Sequence, residues 1–283
     1  MNTESNTMTY RFQPIHLHWL SLDVVAGAVV SHLAASRLPT GRTPINVWVT
    51  IILGLVVLGI YSLDHLLDNH RSVPPRTQRH RFNRQYEPLI RQLIMGVFAL
   101  AGALCWFIPA ELWKFGGGMV AFVALYLWVV SRLPLKSHRQ ALKEPLTALI
   151  YASGVWASTW FLGQPVIWES IVLGVLFYLL TLQSLLLFSH FEAIQYREVY
   201  NLARWLKRAS TMQVLQGITF LTALTCVTVC YLTDYRYVQR LAIILLFMSL
   251  VHLWMWKNPE KIISNERFRI WGELVFVMPW LVL

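Results

Sequence analysis

Two aspartates, Asp64 and Asp68, lie four residues apart in the stretch YSLDHLLDNHRSVPPRTQRH, which covers residues 61–80. Because side chains at positions i and i+4 share one face of a helix, we expect both carboxylates and Tyr61 to point the same way. Two like charges at this spacing repel each other unless a cation lies between them. The stretch directly follows the almost pure hydrocarbon run of residues 45–60, so the acidic pair is expected where a membrane helix ends.

Two kinds of cation could neutralise this pair. Mg²⁺ binds oxygen ligands and commonly joins one or two carboxylates to the phosphates of a substrate. Arginine makes two-point contacts with phosphate oxygens, and four arginines follow the pair: Arg71, Arg76, Arg79 and Arg81. The pattern predicts a site for a diphosphate at the membrane surface. A solvated helix end, whose acids pair only with the loop arginines, fits the spacing as well.

A second polar cluster follows a later apolar run. Ser189, Glu192 and Tyr196 share one face of the predicted helix, with His190 beside them and Glu198 just beyond. A single carboxylate on this face makes a poorer magnesium site than two. A polar cap that ends the helix is the alternative interpretation.

The composition places both clusters in a membrane protein. Of 283 residues, 56% are hydrophobic and only 13% are charged, about half the charged fraction of a soluble domain. We predict an all-α, polytopic membrane helical bundle that forms one domain over residues 1–283, because no connection is long enough for a soluble domain. About nine transmembrane helices are expected, at residues 17–36, 46–66, 90–109, 112–131, 145–163, 167–190, 211–232, 238–256 and 268–283.

The cations indicate an orientation for these spans. Most of them fall in four alternate connections: 67–89, 132–144, 191–210 and 257–267. Lysine and arginine are retained on the cytoplasmic side during insertion. We therefore expect a multi-pass protein of the bacterial inner membrane, with a cytoplasmic N-terminus and an outside C-terminus. Residues 1–16 are polar and lack an apolar core and a small-residue cleavage site, so we expect no removable signal peptide. The net charge of +10 follows from this topology and does not indicate nucleic acid binding.

The span pattern and the two acidic motifs resemble the UbiA-type intramembrane prenyltransferase superfamily. In that family the first motif reads NDxxDxxxD, and an aspartate-rich motif follows the sixth helix. Asp64 and Asp68 match the last two aspartates of the first motif, whereas Ile60 and Tyr61 replace its Asn and first Asp. Glu192 matches the second motif, in which Tyr196 replaces another aspartate. The stretch SRLPLKSHRQALKEPLTALIYASGVW (131–156) is similar to the family's basic loop after helix four and the small-residue start of helix five.

The resemblance implies a function and its residues. It implies transfer of an isoprenyl group from an isoprenyl diphosphate to a lipophilic acceptor, with Asp64, Asp68 and Glu192 as the catalytic residues that bind Mg²⁺. The contacts it implies for the diphosphate are Arg71, Arg76, Arg79, Arg132, Lys136 and Lys143. The alternative is a non-catalytic UbiA-fold membrane protein that binds a lipid or a partner protein, because three metal-side groups of the family motifs are missing.

Two other classes of membrane protein are disfavoured, and two further acidic residues lie inside predicted spans. A histidine-ligated di-iron site is disfavoured because HxxxH and HxxHH clusters are missing. A transporter is disfavoured because paired broken helices in two halves are missing. Asp23 and Glu273 lie inside predicted spans. Each either faces a central cavity, where Asp23 could bind or deprotonate an acceptor, or pairs with a polar neighbour in the bundle.

Overall fold

The computed structural model describes residues 15–71, 78–134, 137–162, 167–195, 200–263 and 267–283, and every regular element in these ranges is helical. The α-helices are α1 Ile15–Trp19, α2 Leu22–Ser36, α3 Val47–Arg71, α4 Gln78–Gln85, α5 Glu87–Leu104, α6 Ala110–Arg132, α7 Lys143–Phe161, α8 Trp168–Gln195, α9 Leu202–Leu232, α10 Arg236–Lys257, α11 Pro259–Ile262 and α12 Arg267–Leu274. Short 3₁₀ helices cover Cys105–Phe107, His138–Leu142 and Val275–Val282.

Six helices in the described ranges have the length and apolar composition needed to cross a membrane: Val47–His70, Glu87–Phe107, Ala110–Arg132, Trp168–Gln195, Leu202–Leu232 and Arg236–Lys257. Each is long enough to cover about 30 Å of hydrocarbon at 1.5 Å per residue. The prediction of an all-helical fold is thereby confirmed for the described residues, and six of the helices are consistent with a membrane protein.

The other three predicted spans take different forms. The first is broken at Ser21, whose φ of 59° is left-handed, so α1 and α2 are separate helices. The fifth corresponds to α7, a helix of 19 residues. The last begins as α12 and continues as a 3₁₀ helix that contains Pro279, which has no N–H to donate to an α-helical turn. The count of nine spans remains a prediction.

The helix α8 lies at the centre of the bundle. It packs against α7, α9, α10 and α12, and it is apolar on nearly every side, as expected for a buried helix. Phe177 on α8 is fully buried, with its ring centroid 6.0 Å from Tyr151, 5.1 Å from Trp156 and 5.7 Å from Phe276. This aromatic cluster joins α7, α8 and the C-terminal 3₁₀ helix in the main core.

A buried polar network joins α8 to α9 and α10. The side-chain amide of Gln183 donates to the Thr219 hydroxyl (3.0 Å), and the Ser249 hydroxyl donates to the Gln183 carbonyl oxygen (2.9 Å). All three residues are buried. Such interhelical hydrogen bonds in membranes contribute on average about 0.6 kcal/mol each. They hold α8 in register with its neighbours, and that register sets the position of the polar residues at its end.

Candidate functional site

The acidic pair on α3 surrounds a lysine from another helix. The Nζ of Lys143 lies 3.0 Å from the Asp68 carboxylate and 3.3 Å from the Asp64 carboxylate. Both aspartates therefore point the same way, as their four-residue spacing predicts. The side chain of Lys143 is 27% exposed, and those of Asp64 and Asp68 are 26% and 34% exposed, so the three charges are only partly hydrated.

Lys143 is the first residue of α7, ahead of the apolar part of that helix. Burial by itself lowers the pKa of Lys143. Asp64, Asp68 and Tyr126 together outweigh this effect, and the resulting pKa of Lys143 lies well above the usual value. The amine is therefore a charged ammonium at neutral pH, and it supplies the cation that the acidic pair requires.

The next residue, Glu144, connects α7 to the second polar cluster. Its Oε1 accepts hydrogen bonds from the Ser189 hydroxyl on α8 and from the backbone N–H of Leu202 (3.2 Å) at the start of α9. The side-chain amide of Asn201 donates to the Ser189 carbonyl oxygen at 2.8 Å. Burial raises the pKa of Glu144, and the hydrogen bonds from Ser189 and Leu202 only partly offset that effect.

These contacts place the end of α3 and the end of α8 on either side of the start of α7. We call this region the polar end of the bundle and define it by six residues: Asp64, Asp68, Lys143, Glu144, Ser189 and Glu192.

Glu192 forms its own ion pair at the polar end. Its carboxylate accepts a hydrogen bond from the guanidinium of Arg269 on α12, and the two side chains are 30% and 21% exposed. Arg269 also lies near the rings of Phe268 (5.7 Å) and Phe188 (6.0 Å). Glu192, the carboxylate predicted for the second motif, is thus neutralised by Arg269, which lies 77 residues later in the chain.

Of the cations that the sequence grouped around a diphosphate, the structure brings two to the acidic pair. Lys143 contacts both carboxylates. Arg79 on α4 contacts the Nε2 of His65 at 3.0 Å, and its charge acts on Asp64. Arg132, at the end of α6, is exposed and its guanidinium lies 4.6 Å from the Trp128 ring centre. The side chain of Arg71, together with residues Arg76, Lys136, Tyr196 and Glu198, falls outside the described part of the chain.

The acidic residues were also predicted to bind a metal ion. Among the described residues, no group of three or more His, Cys, Asp or Glu side chains could hold an ion, so Asp64, Asp68 and Glu192 do not form one three-carboxylate site. Mg²⁺ commonly uses only one or two protein carboxylates and completes its shell with water and substrate phosphate. Asp64 and Asp68 fit that smaller donor set, with the Lys143 amine lying at both carboxylates.

The structure also identifies a partner for Asp23. Its Oδ2 lies 2.5 Å from the Nδ1 of His18, and its Oδ1 accepts from the Val24 N–H at 3.0 Å. A pair five residues apart does not share a face of a continuous helix. The left-handed backbone of Ser21 turns the chain between α1 and α2, and this turn brings His18 and Asp23 together. Of the two interpretations of Asp23, pairing with a polar neighbour is the one observed.

Sequence reasoning missed Glu144, Arg269 and His18 as members of polar pairs. The sequence contained a signal for Arg269, because this arginine lies inside the predicted final span, one turn before Glu273. A charged side chain inside a membrane span usually has a polar or charged partner. No local signal identifies the partners of Glu144, because Ser189 and Leu202 are 45 and 58 residues away.

We expect Glu144→Ala to lower the free energy of unfolding by about 1–3 kcal/mol, because Ser189 and Leu202 would lose their acceptor in a buried place. Thermal or denaturant unfolding in detergent micelles measures the change. Glu260→Ala, at an exposed glutamate on α11, is the matched control and should change the stability by less than about 0.5 kcal/mol. Equal stability of the two variants would show that Glu144 does not tie the helices together.

The polar end therefore offers two partly hydrated carboxylates, one ammonium that contacts both, and a second ion pair that joins α8 to α12. Its charges are oriented by contacts between helices that are distant in the chain. Comparisons of the chain with protein-family models, with curated proteins and with solved structures gave no match.

Proposed function

We propose that this protein is an intramembrane prenyltransferase of the UbiA type, which transfers an isoprenyl group from an isoprenyl diphosphate to a lipophilic acceptor. One observation carries the proposal. The two acidic motifs, which are separated by more than a hundred residues, are joined by consecutive residues of α7. Lys143 contacts Asp64 and Asp68, and Glu144 contacts Ser189, one turn before Glu192.

Three residues of the polar end, together with Arg79 beside it, would have tasks in this reaction. Asp64 and Asp68 would hold Mg²⁺, which when bound supplies Lewis-acid stabilisation of the diphosphate as a leaving group. Lys143 and Arg79 place positive charge beside that leaving group. The apolar helices behind the polar end provide a hydrocarbon surface for the isoprenyl chain, and their aromatic faces can stabilise an allylic cation.

The proposal includes the topology predicted from the cations. Nine spans, a cytoplasmic N-terminus and an outside C-terminus would place the polar end at the cytoplasmic surface of a bacterial inner membrane. The donor diphosphate would approach from the cytoplasm, and the acceptor would enter laterally from the lipid. The partners are thus isoprenyl diphosphate, a lipophilic acceptor and membrane lipids, and no nucleic acid is involved.

A non-catalytic UbiA-fold protein that binds a lipid or a partner protein is the second candidate. It is favoured by the observation that the chain's own cations neutralise the predicted metal-side carboxylates. Lys143 pairs with Asp64 and Asp68, and Arg269 pairs with Glu192. Under this alternative both ion pairs are structural.

Titration of the protein in lipid nanodiscs with isoprenyl diphosphates tests the proposal. We expect saturable binding that requires Mg²⁺ and is lost with EDTA, whereas the matching isoprenyl alcohol, which lacks the diphosphate, should not compete. Lipid extracts of expressing cells should contain a prenylated product that is absent without the protein. Donor binding without any product would favour the non-catalytic candidate, and absence of Mg²⁺-dependent donor binding would contradict the proposal.

A further inference from the structure

We infer that Lys143 is the resident counter-ion of Asp64 and Asp68, and that it keeps a divalent cation out of the acidic pair until a diphosphate draws the amine away. Metal and diphosphate would then bind together, not one after the other. This inference rests on the proposed function, because it states how the metal ion and the diphosphate of that function enter the same site.

The distances support this role. A single ammonium lies 3.0 Å from one carboxylate and 3.3 Å from the other, so it already contacts both groups that a metal ion would need. Each of the three side chains is about one quarter to one third exposed. In such a partly hydrated place opposite charges attract more strongly than in bulk water. The amine therefore competes effectively with a divalent cation for the two carboxylates.

The charges at the site favour joint binding. The Lys143 ammonium contacts both carboxylates, and the positive charge of Arg79 also acts on Asp64. A divalent cation that arrives alone would be repelled by these two cations. A diphosphate brings several negative charges that can neutralise the metal ion and the displaced amine together. By linkage, the diphosphate must then raise the affinity for the metal by the same factor as the metal raises the affinity for the diphosphate.

Lys143 is also built to move while its backbone stays in place. The following residue, Glu144, is held by Ser189 and by the Leu202 N–H, so the start of α7 is anchored. The lysine stem has four carbons and carries a compact charge that can rotate from carboxylate to phosphate. The exchange therefore requires a change of side-chain rotamers and no rearrangement of the helices.

Manganese binding tests the inference without any isoprenoid. Mn²⁺ retained by the protein in nanodiscs is measured by electron paramagnetic resonance after free ions are removed, with and without inorganic pyrophosphate. For the wild type we expect weak retention of Mn²⁺ alone and at least about tenfold tighter retention with pyrophosphate, within the usual range of coupling between sites. Lys143→Met should bind Mn²⁺ alone about tenfold more tightly than the wild type and should respond less to pyrophosphate.

Lys261→Met, at an exposed lysine on α11, is the matched control and should behave as the wild type. Lys143→Gln, which keeps a polar side chain, is the second variant if the methionine variant does not fold. Tight Mn²⁺ binding by the wild type without pyrophosphate would overturn the inference while leaving the proposed function intact. Failure of both Lys143 variants to bind Mn²⁺ would also overturn it, because the acidic pair would then not be a metal site.

Discussion

Asp64→Asn/Asp68→Asn is expected to abolish the Mg²⁺-dependent binding of isoprenyl diphosphate and to remove any prenylated product from lipid extracts. Asparagine keeps the size of aspartate but removes the negative charge that would hold the metal ion. Loss of groups that only support metal ligands weakens metal binding about 10–100-fold, so loss of both carboxylates should weaken donor binding by at least about 100-fold. Calorimetric titration of the nanodisc protein with donor and Mg²⁺ measures the effect.

The double variant also leaves the Lys143 ammonium without its two acidic partners, so its stability must be measured in parallel. Adding Lys143→Met to the double variant removes that uncompensated charge, and this triple variant should regain stability without regaining donor binding. Glu260→Gln, at an exposed acid on α11, should leave both quantities unchanged. Unaltered donor binding in the double variant would exclude Asp64 and Asp68 from the binding site.

We expect Phe177→Ala to lower the free energy of unfolding by about 3–5 kcal/mol, the range for large aromatic side chains in a packed core. Phe177 is 0% exposed and contacts the rings of Tyr151, Trp156 and Phe276. The truncation would leave a cavity where α7, α8 and the C-terminal 3₁₀ helix meet. Unfolding in mixed micelles with increasing denaturant measures the loss.

Phe220→Ala is the matched control for this core substitution. Phe220 is on α9 and is 72% exposed on the outer surface of the bundle, so its truncation creates no internal cavity and should cost less than about 1 kcal/mol. A similar loss for both variants would show that aromatic packing around α8 does not hold the bundle together.

Helical periodicity and apolar composition predicted the parts of this molecule that depend on neighbouring residues. The six long apolar helices were predictable because each must satisfy its own backbone hydrogen bonds in lipid. The common orientation of Asp64 and Asp68 was predictable because 3.6 residues complete a turn. The place of Lys143 among the candidate site residues came from the family resemblance.

The left-handed residues that interrupt helices of the structure were not predictable from these patterns. Ser21 and Lys207 have left-handed φ values of 59° and 64°, which residues other than glycine rarely adopt. Lys207 divides α9 near its start, where the sequence predicted a loop that continues to residue 210. Conformations of this kind persist only where the surrounding structure holds them, so they do not follow from local preferences.

Local sequence patterns were enough to predict that this chain forms apolar helices and that two aspartates share a face at the end of one such helix. They did not predict which charges meet. Lys143 contacts Asp68 across 75 residues, and Arg269 contacts Glu192 across 77. Helical periodicity acts over a few residues, whereas these pairs depend on which helices pack together. The acidic motif therefore indicated that a cation was needed, and helix packing supplied a lysine from the chain itself.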